Sequence, residues 1–229
     1  MERKNTHANK AESYDIGRPC YPNEFYEYLY GQWGLTKNTV IADMGAGTGK
    51  VTKGFLERGN RVYAVEPDKD MMRRLKNNLA NFPDCIHIES TAENTEIPAA
   101  SIDIIFCGNS YHWFDKGMVI PEFKRVLRNA GSKFNIVITS LGQWMADMAS
   151  PFENGKYIEK TFEYTVYNEL HEYLHGNLSA SWAPTPEDDN FHEYCESLKQ
   201  SFDENSIDGK IEVRFKLFCM IGNVENLIL

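Results

Sequence analysis

Between residues 39 and 140 the sequence alternates short apolar runs with amphipathic stretches, and this alternation restricts the fold more than any other feature. "TVIAD" (39–43) predicts a buried strand, and "GKVTKGFLERG" (49–59) places Val51 and Phe55 four apart before Gly59, a helix with a glycine stop. "RVYAVE" (61–66) predicts a second strand. Asp68 then stands where an N-cap belongs, with Met71 or Met72, Leu75 and Leu79 following at helical spacing. "CIHIES" (85–90) and "SIDIIFCG" (101–108) predict the third and fourth strands. "FKRVLRNAGS" (123–132) ends a helix with Pro121 expected near its first turn, and "KFNIVITS" (133–140) predicts a fifth strand. Strands alternating with helices imply an α/β fold with a parallel sheet covered on both faces. Residues 141–208 are expected to be helical or irregular, with "APTPEDDN" (183–190) a loop between helices, and "GKIEVRFKLFCMIG" (209–222) returns to strand-like alternation.

With 229 residues, 42% of them hydrophobic, the chain can bury one substantial core, so a single domain with an elaboration is expected. Its net charge of −9 repels polyanions and shows no compensating basic patch, which argues against nucleic acid and against an anionic membrane surface. No apolar stretch approaches the ~20 residues that span a bilayer, and the first seven residues are polar. The five scattered cysteines, none in a Cys-x-x-Cys pair, fit reduced thiols. A soluble cytoplasmic chain is therefore expected.

"DMGAGTGKVT" (43–52) crowds Gly45, Gly47 and Gly49 between the first strand and its helix, a place where bare backbone N–H groups let a ligand approach closely. A nucleoside triphosphate loop is excluded, because Met44 stands five residues before Gly49 and Val51 follows Lys50. The dinucleotide spacing fails as well, with Lys50 where its third glycine would fall. Asp43 before the loop would repel a pyrophosphate and favours a ligand carrying a positive group. A tight strand-to-helix turn with no ligand remains the alternative reading of these glycines.

These residues resemble the class I S-adenosylmethionine-dependent methyltransferases, within them the small-molecule type (methyltransferase type 11) related to the ubiquinone-biosynthesis and trans-aconitate methyltransferases. The resemblance is carried by "IADMGAGTGKVT", by Glu66 at the end of strand two, by "STAENTEIP" (90–98), by "GNSYHWFD" (108–115) and by "YDIGRPCYP" (14–22), with further similarity in "YLHGNLSASWAP" and in the last twenty-odd residues. It departs at Met44, where Leu or Val is usual, at "LRNAGS" (127–132), and in a short 141–180 stretch. The fold it implies is a Rossmann-like seven-stranded sheet, mostly parallel with a C-terminal antiparallel strand and helices on both faces. Its implied divisions are a lid helix (1–30), a donor-binding core (39–140), a substrate-side elaboration (141–208) and a C-terminal strand region (209–229).

The resemblance also implies S-adenosylmethionine as cofactor and a small-molecule methyl acceptor as partner. The donor would lie across Asp43, Gly45, Ala46, Gly47 and Gly49, its ribose on Glu66, its adenine near Pro67, Met71, Ala92 and Glu93, and its methionine end near Tyr14, Arg18, Asn109 and Ser110. Tyr21, Tyr111, Trp113 and Trp182 would line the acceptor side, with His112 as base where the acceptor must lose a proton. A protein that binds the donor without turnover is a second reading. Plainer readings also stand: His112 and Trp113 as a packing pair before a helix capped by Asp115, Glu93 as a surface acid, and Tyr14, Arg18 and Tyr21 as ordinary surface residues.

One competing motif is "HEYLH" (171–175), which fits H-E-x-x-H, two zinc ligands and a general base on one helix. Leu178 replaces the glycine of its extended form, the candidate third ligands Glu193 and Glu196 lie among many acids, and Leu170 and Leu174 supply an apolar packing edge. A coincidental helix face is the favoured reading, and no metal is expected.

Overall fold

The computed structural model describes residues 10–141 and 150–228. They fall into two compact units, one built from residues up to Cys20 together with Tyr164–Phe215, the other from Tyr21–Glu163 together with residues from Lys216 onward. A single seven-stranded sheet has the order β3-β2-β1-β4-β5-β7-β6. Its strands are β1 (Ile41–Met44), β2 (Val62–Val65), β3 (Cys85–Ile88), β4 (Ile104–Gly108), β5 (Ile136–Leu141), β6 (Tyr157–Asn168) and β7 (Ile211–Gly222). The first five pair in parallel, with Asp43 of β1 beside Ala64 of β2 on one side and Phe106 of β4 on the other. β7 then runs antiparallel to β5, from Ile136 opposite Gly222 to Leu141 opposite Leu217. This is the mixed, mostly parallel sheet that the alternation and the resemblance imply.

The central strands are mostly apolar because helices cover both faces, Asp43, Thr139 and Ser140 being their buried polar exceptions. β1 and the middle of β4 are fully buried. On one face Ile105, Cys107, Ile136 and Ile138 pack with Val119, Phe123 and Val126 of helix α5 (Lys116–Val126). On the other, Phe106 meets Phe25 of helix α2 (Asn23–Trp33) and Phe55 of helix α3 (Lys50–Leu56) edge to face, at 5.9 and 5.6 Å between ring centres. Each such pair contributes ~0.5–1.5 kcal/mol beyond the area it buries.

Helix ends follow their sequence signals closely. Asp68 caps helix α4 (Lys69–Asn78), accepting from the N–H groups of Asp70 and Met71 at 2.9 Å each, and Met71, Met72, Leu75 and Leu79 are buried. Gly59 adopts φ +83° beyond α3, a conformation only glycine takes without strain. Two expectations are corrected. Pro121 lies inside α5 rather than near its first turn, because Asp115 caps that helix at Gly117 and so fixes its start. The stretch 141–208 contains the long strand β6, which was expected to be helical or irregular.

The smaller unit holds helices α1 (Ala11–Gly17), α6 (Leu170–Leu178) and α7 (Phe191–Asn205). α1 and α6 touch backbone to backbone: a Cβ on Gly17 would lie 1.9 Å from the nitrogen of Gly176. Lys10, buried ahead of α1, donates to the carbonyls of Ala180 at 2.7 Å and Ala183 at 2.6 Å. All five cysteines are free, and Cys85, Cys107 and Cys219 are buried. Among the described residues no helix is long and apolar enough to cross a membrane.

Candidate donor site at the strand tips

Strand order reverses between β1 and β4, and the loops leaving their carboxyl ends are where ligands enter doubly wound sheets. The loop after β1 uses its three glycines for backbone shape: Gly45, Gly47 and Gly49 have φ of +77°, +59° and +86°. At Gly45 the neighbours also forbid a side chain, since a Cβ there would lie 2.6 Å from the Cβ of Ser110. Ser110, just after β4, donates its hydroxyl to the Met44 carbonyl at 2.6 Å and so joins the two loops.

The loop is pinned to β2. Gly45 and Ala46 both donate to the Val65 carbonyl at 2.9 Å. Gly47 N–H donates to Oε2 of Glu66 at 2.8 Å, while Asp68 N–H donates to Oε1 of the same carboxylate at 2.9 Å. Burial raises the Glu66 pKa, and the two backbone N–H groups act against that rise. Asp43, fully enclosed at the end of β1, accepts from the Thr52 hydroxyl at 2.6 Å. Burial pushes its carboxyl up to about 7, the Thr52 hydrogen bond opposes this, and the nearby Glu66 charge adds to it.

The residues expected to border the adenine belong to separate segments. Met71 and Ala92 are buried, and Oε1 of Glu93 accepts from Asp115 N–H at 2.9 Å. Behind them, Glu122 accepts from the N–H of Thr95 at 2.9 Å and from its hydroxyl at 2.6 Å, and Arg125 donates to both carboxylate oxygens and to the Ile97 carbonyl. Burial would raise the Glu122 carboxyl, but these hydrogen bonds hold it below its usual value. This support for the 92–98 segment was not foreseen in the sequence, because its members are some 27 residues apart and joined only by folding.

After β4, Asn109 takes φ +54° and accepts from Leu141 N–H at 2.7 Å, which ties the tips of β4 and β5. Tyr111, His112 and Trp113 form a single 3-10 turn. Tyr111 is buried and, among the described residues, its hydroxyl has no hydrogen-bond partner; His112 is half-buried with its ring 4.7 Å from that of Trp113, and Trp113 is exposed. Tyr21 is a core residue: its hydroxyl lies 2.7 Å from Oγ1 of Thr139, and its ring meets Phe25 and Phe106. Thr52 and Thr139 are hydroxyl partners that the motif reading passed over. Tyr14, Arg18 and Trp182 fall in the smaller unit, where Arg18 lies 5.5 Å from the Tyr14 ring and Trp182 is exposed.

In the same unit the H-E-x-x-H residues are engaged in packing α6. Glu172 accepts from Glu169 N–H at 3.0 Å as half of a capping box, and Nδ1 of His175 lies 2.9 Å from the Ser13 hydroxyl. Among the described residues no group of three or more His, Cys, Asp or Glu could hold a metal ion.

Comparison with known proteins bears on the same region. Residues 42–134 match the family model described as a methyltransferase domain. An uncharacterized methyltransferase of Mycobacterium tuberculosis is 36% identical over 119 residues, covering 52% of this chain and 46% of that protein. The chain thus spans about half the length of the curated relatives it matches. A solved structure from Anaeromyxobacter dehalogenans, described as a type II methyltransferase, superposes with TM-score 0.65 at 18% identity, covering 90% of this chain and 98% of that one. A methyltransferase from Thiobacillus denitrificans, solved with S-adenosylhomocysteine, superposes with TM-score 0.54 at 12% identity over 97% of this chain and all of that one. At those identities the two structures speak for the fold.

Proposed function

We propose that the chain, whose residues 42–134 match the methyltransferase-domain family model, is an S-adenosylmethionine-dependent methyltransferase acting on a small-molecule acceptor. The observation that carries the reading is the glycine loop closed on the Glu66 carboxylate, with the buried Asp43 beneath it.

The residues present suit the donor. Three left-handed glycines shape a loop whose residues 45–47 stay partly exposed, while Gly49 packs on Leu79, and two carboxylates at neighbouring strand tips suit a ligand that is cationic at its amine and sulfur. In this reading Glu66 takes the ribose hydroxyls, and Pro67, Met71, Ala92 and Glu93 border the adenine. Asp43, Asn109 and Ser110 flank the amino-acid end. For Tyr14, Arg18 and Trp182 the support is the resemblance alone.

Bound there, S-adenosylmethionine supplies a methyl group already activated by its sulfonium. What remains for the chain is to hold the acceptor in line with that methyl and to exclude water, and such orientation is worth ~7–11 kcal/mol of barrier. Tyr111, His112 and Trp113 follow β4, on the side where an acceptor would meet the donor. Aromatic faces there would attract the cationic sulfonium and so help to hold the donor. For a hydroxyl or carbon acceptor, His112 would take the proton; for a carboxylate or free amine it is not required.

Titration of the purified chain with S-adenosylmethionine, followed by turnover of methyl-labelled donor across a panel of small acceptors, tests the proposal. Binding that Gly47→Arg or Asp43→Ala abolishes in a folded protein, together with label transfer, is the expected result. Unaltered affinity in both variants would overturn the site, and binding without transfer to any acceptor would leave a donor-binding protein in place of an enzyme.

A further inference from the structure

The two edges of the sheet differ greatly. One is β3, four residues long; the other is β6, twelve residues without proline or glycine, rich in β-branched and aromatic types, and no described strand pairs with its outer side. Natural proteins ordinarily shorten, bulge or cover such an edge, because its row of free N–H and C=O groups is a template for another strand. β6 also carries two of the exposed large apolar side chains, Ile158 (41% exposed) and Tyr167 (61%).

Phe162 packs on Phe25 and Tyr28, at 5.8 and 5.6 Å between ring centres. Strand alternation therefore puts Ile158, Lys160, Phe162, Tyr164 and Val166 on one face and Tyr157, Glu159, Thr161, Glu163, Thr165 and Tyr167 on the other. Two copies paired antiparallel about a two-fold axis keep these faces, so only residues of the same face can oppose one another. Centring the axis on Thr161 sets Glu159 against Glu163 of the other copy. Centring it on Glu163 opposes Glu163 to itself, and centring it on Lys160 opposes two lysines. With the axis at Phe162 residues 157–167 overlap with no like charges opposed: Ile158 meets Val166, Tyr157 meets Tyr167, Glu159 meets Thr165 and Thr161 meets Glu163. The like charges that meet in the registers about Thr161, Glu163 and Lys160 do not meet in that one, and it overlaps more of the strand than the register about Tyr164, which also opposes no like charges but pairs only residues 160–168.

We infer that β6 is a homodimer interface, pairing antiparallel with β6 of a second copy about Phe162 and joining the two sheets into one. The inference is independent of the methyl-transfer reading, since it uses neither the glycine loop nor the strand tips.

Thr161 provides the test because it opposes Glu163 twice in each dimer. Sedimentation equilibrium of the full chain, up to millimolar concentration, should show a monomer–dimer equilibrium. Thr161→Lys should tighten it roughly fivefold and Thr161→Glu weaken it at least as much, through two gained or two repelled pairs of ~0.5 kcal/mol each. Unchanged circular dichroism and melting temperature establish that both variants are folded. A wild-type chain that stays monomeric throughout that range would overturn the inference. So would a dimer whose dissociation constant is the same in both variants, since it would be assembled through another surface.

Discussion

The backbone N–H of Gly47 donates to Oε2 of Glu66 across 2.8 Å, so the loop leaving β1 is held in place by the first residue beyond β2. The carboxylate's other oxygen accepts from Asp68, which itself starts α4. One side chain therefore positions the glycine loop and the helix that would border the adenine.

Glu66→Ala should weaken donor binding by about ten- to a hundredfold, since hydrogen bonds to a charged group contribute ~1.5–3 kcal/mol. Calorimetric titration of the folded variant measures it. Unchanged affinity would remove Glu66 from the site.

Gly45→Ala should lower stability by at least ~2 kcal/mol, combining a left-handed φ of +77° with a Cβ 2.6 Å from that of Ser110. Gly31→Ala, in helix α2 with nothing within 4 Å of its added Cβ, should raise it by ~0.5–1 kcal/mol. Urea unfolding of the pair distinguishes a packing-limited glycine from a dispensable one.

Asp43 gives stability a pH dependence. Its folded pKa, raised to about 7, stands above the unfolded value near 3.9, so the folded state binds the extra proton between them. The contribution is complete below about pH 4 and is lost as pH rises through about 7. Asp43→Asn should flatten that part of the profile, a change on the order of a few kcal/mol in unfolding free energy between pH 4 and 7. An identical slope in both proteins would show that the carboxyl is not held protonated.

Glu122→Ala should cost about 1–3 kcal/mol, because it leaves the Thr95 N–H and hydroxyl without their acceptor, while the part-exposed Arg125 keeps its bond to the Ile97 carbonyl. Since the network supports the 92–98 segment, affinity for adenosine alone should fall as well. Thermal melts and adenosine titration separate the two effects, and a loss of stability with adenosine affinity intact would dissociate this network from the site.

Much of this protein was legible along the chain. The inner parallel strands are largely apolar because they are buried on both faces, so "TVIAD", "RVYAVE" and "SIDIIFCG" disclosed β1, β2 and β4 to within three residues at each end. Asp68 and Gly59 announced a helix start and a helix stop because capping is settled by one side chain or one φ angle. β6 escaped notice for the opposite reason. An edge strand has one strand neighbour and partial cover, so Glu159, Lys160 and Glu163 dilute its alternation. The glycine loop and Glu66 could be named in sequence because each follows directly from a strand, whereas Thr52 beneath Asp43, Thr139 against Tyr21 and Glu122 beneath Thr95 are contacts between distant segments. Local order was fixed by periodicity and backbone chemistry; only packing decided which buried polar groups met, because a hydroxyl or carboxylate carries no mark of its partner until folding removes the water between them.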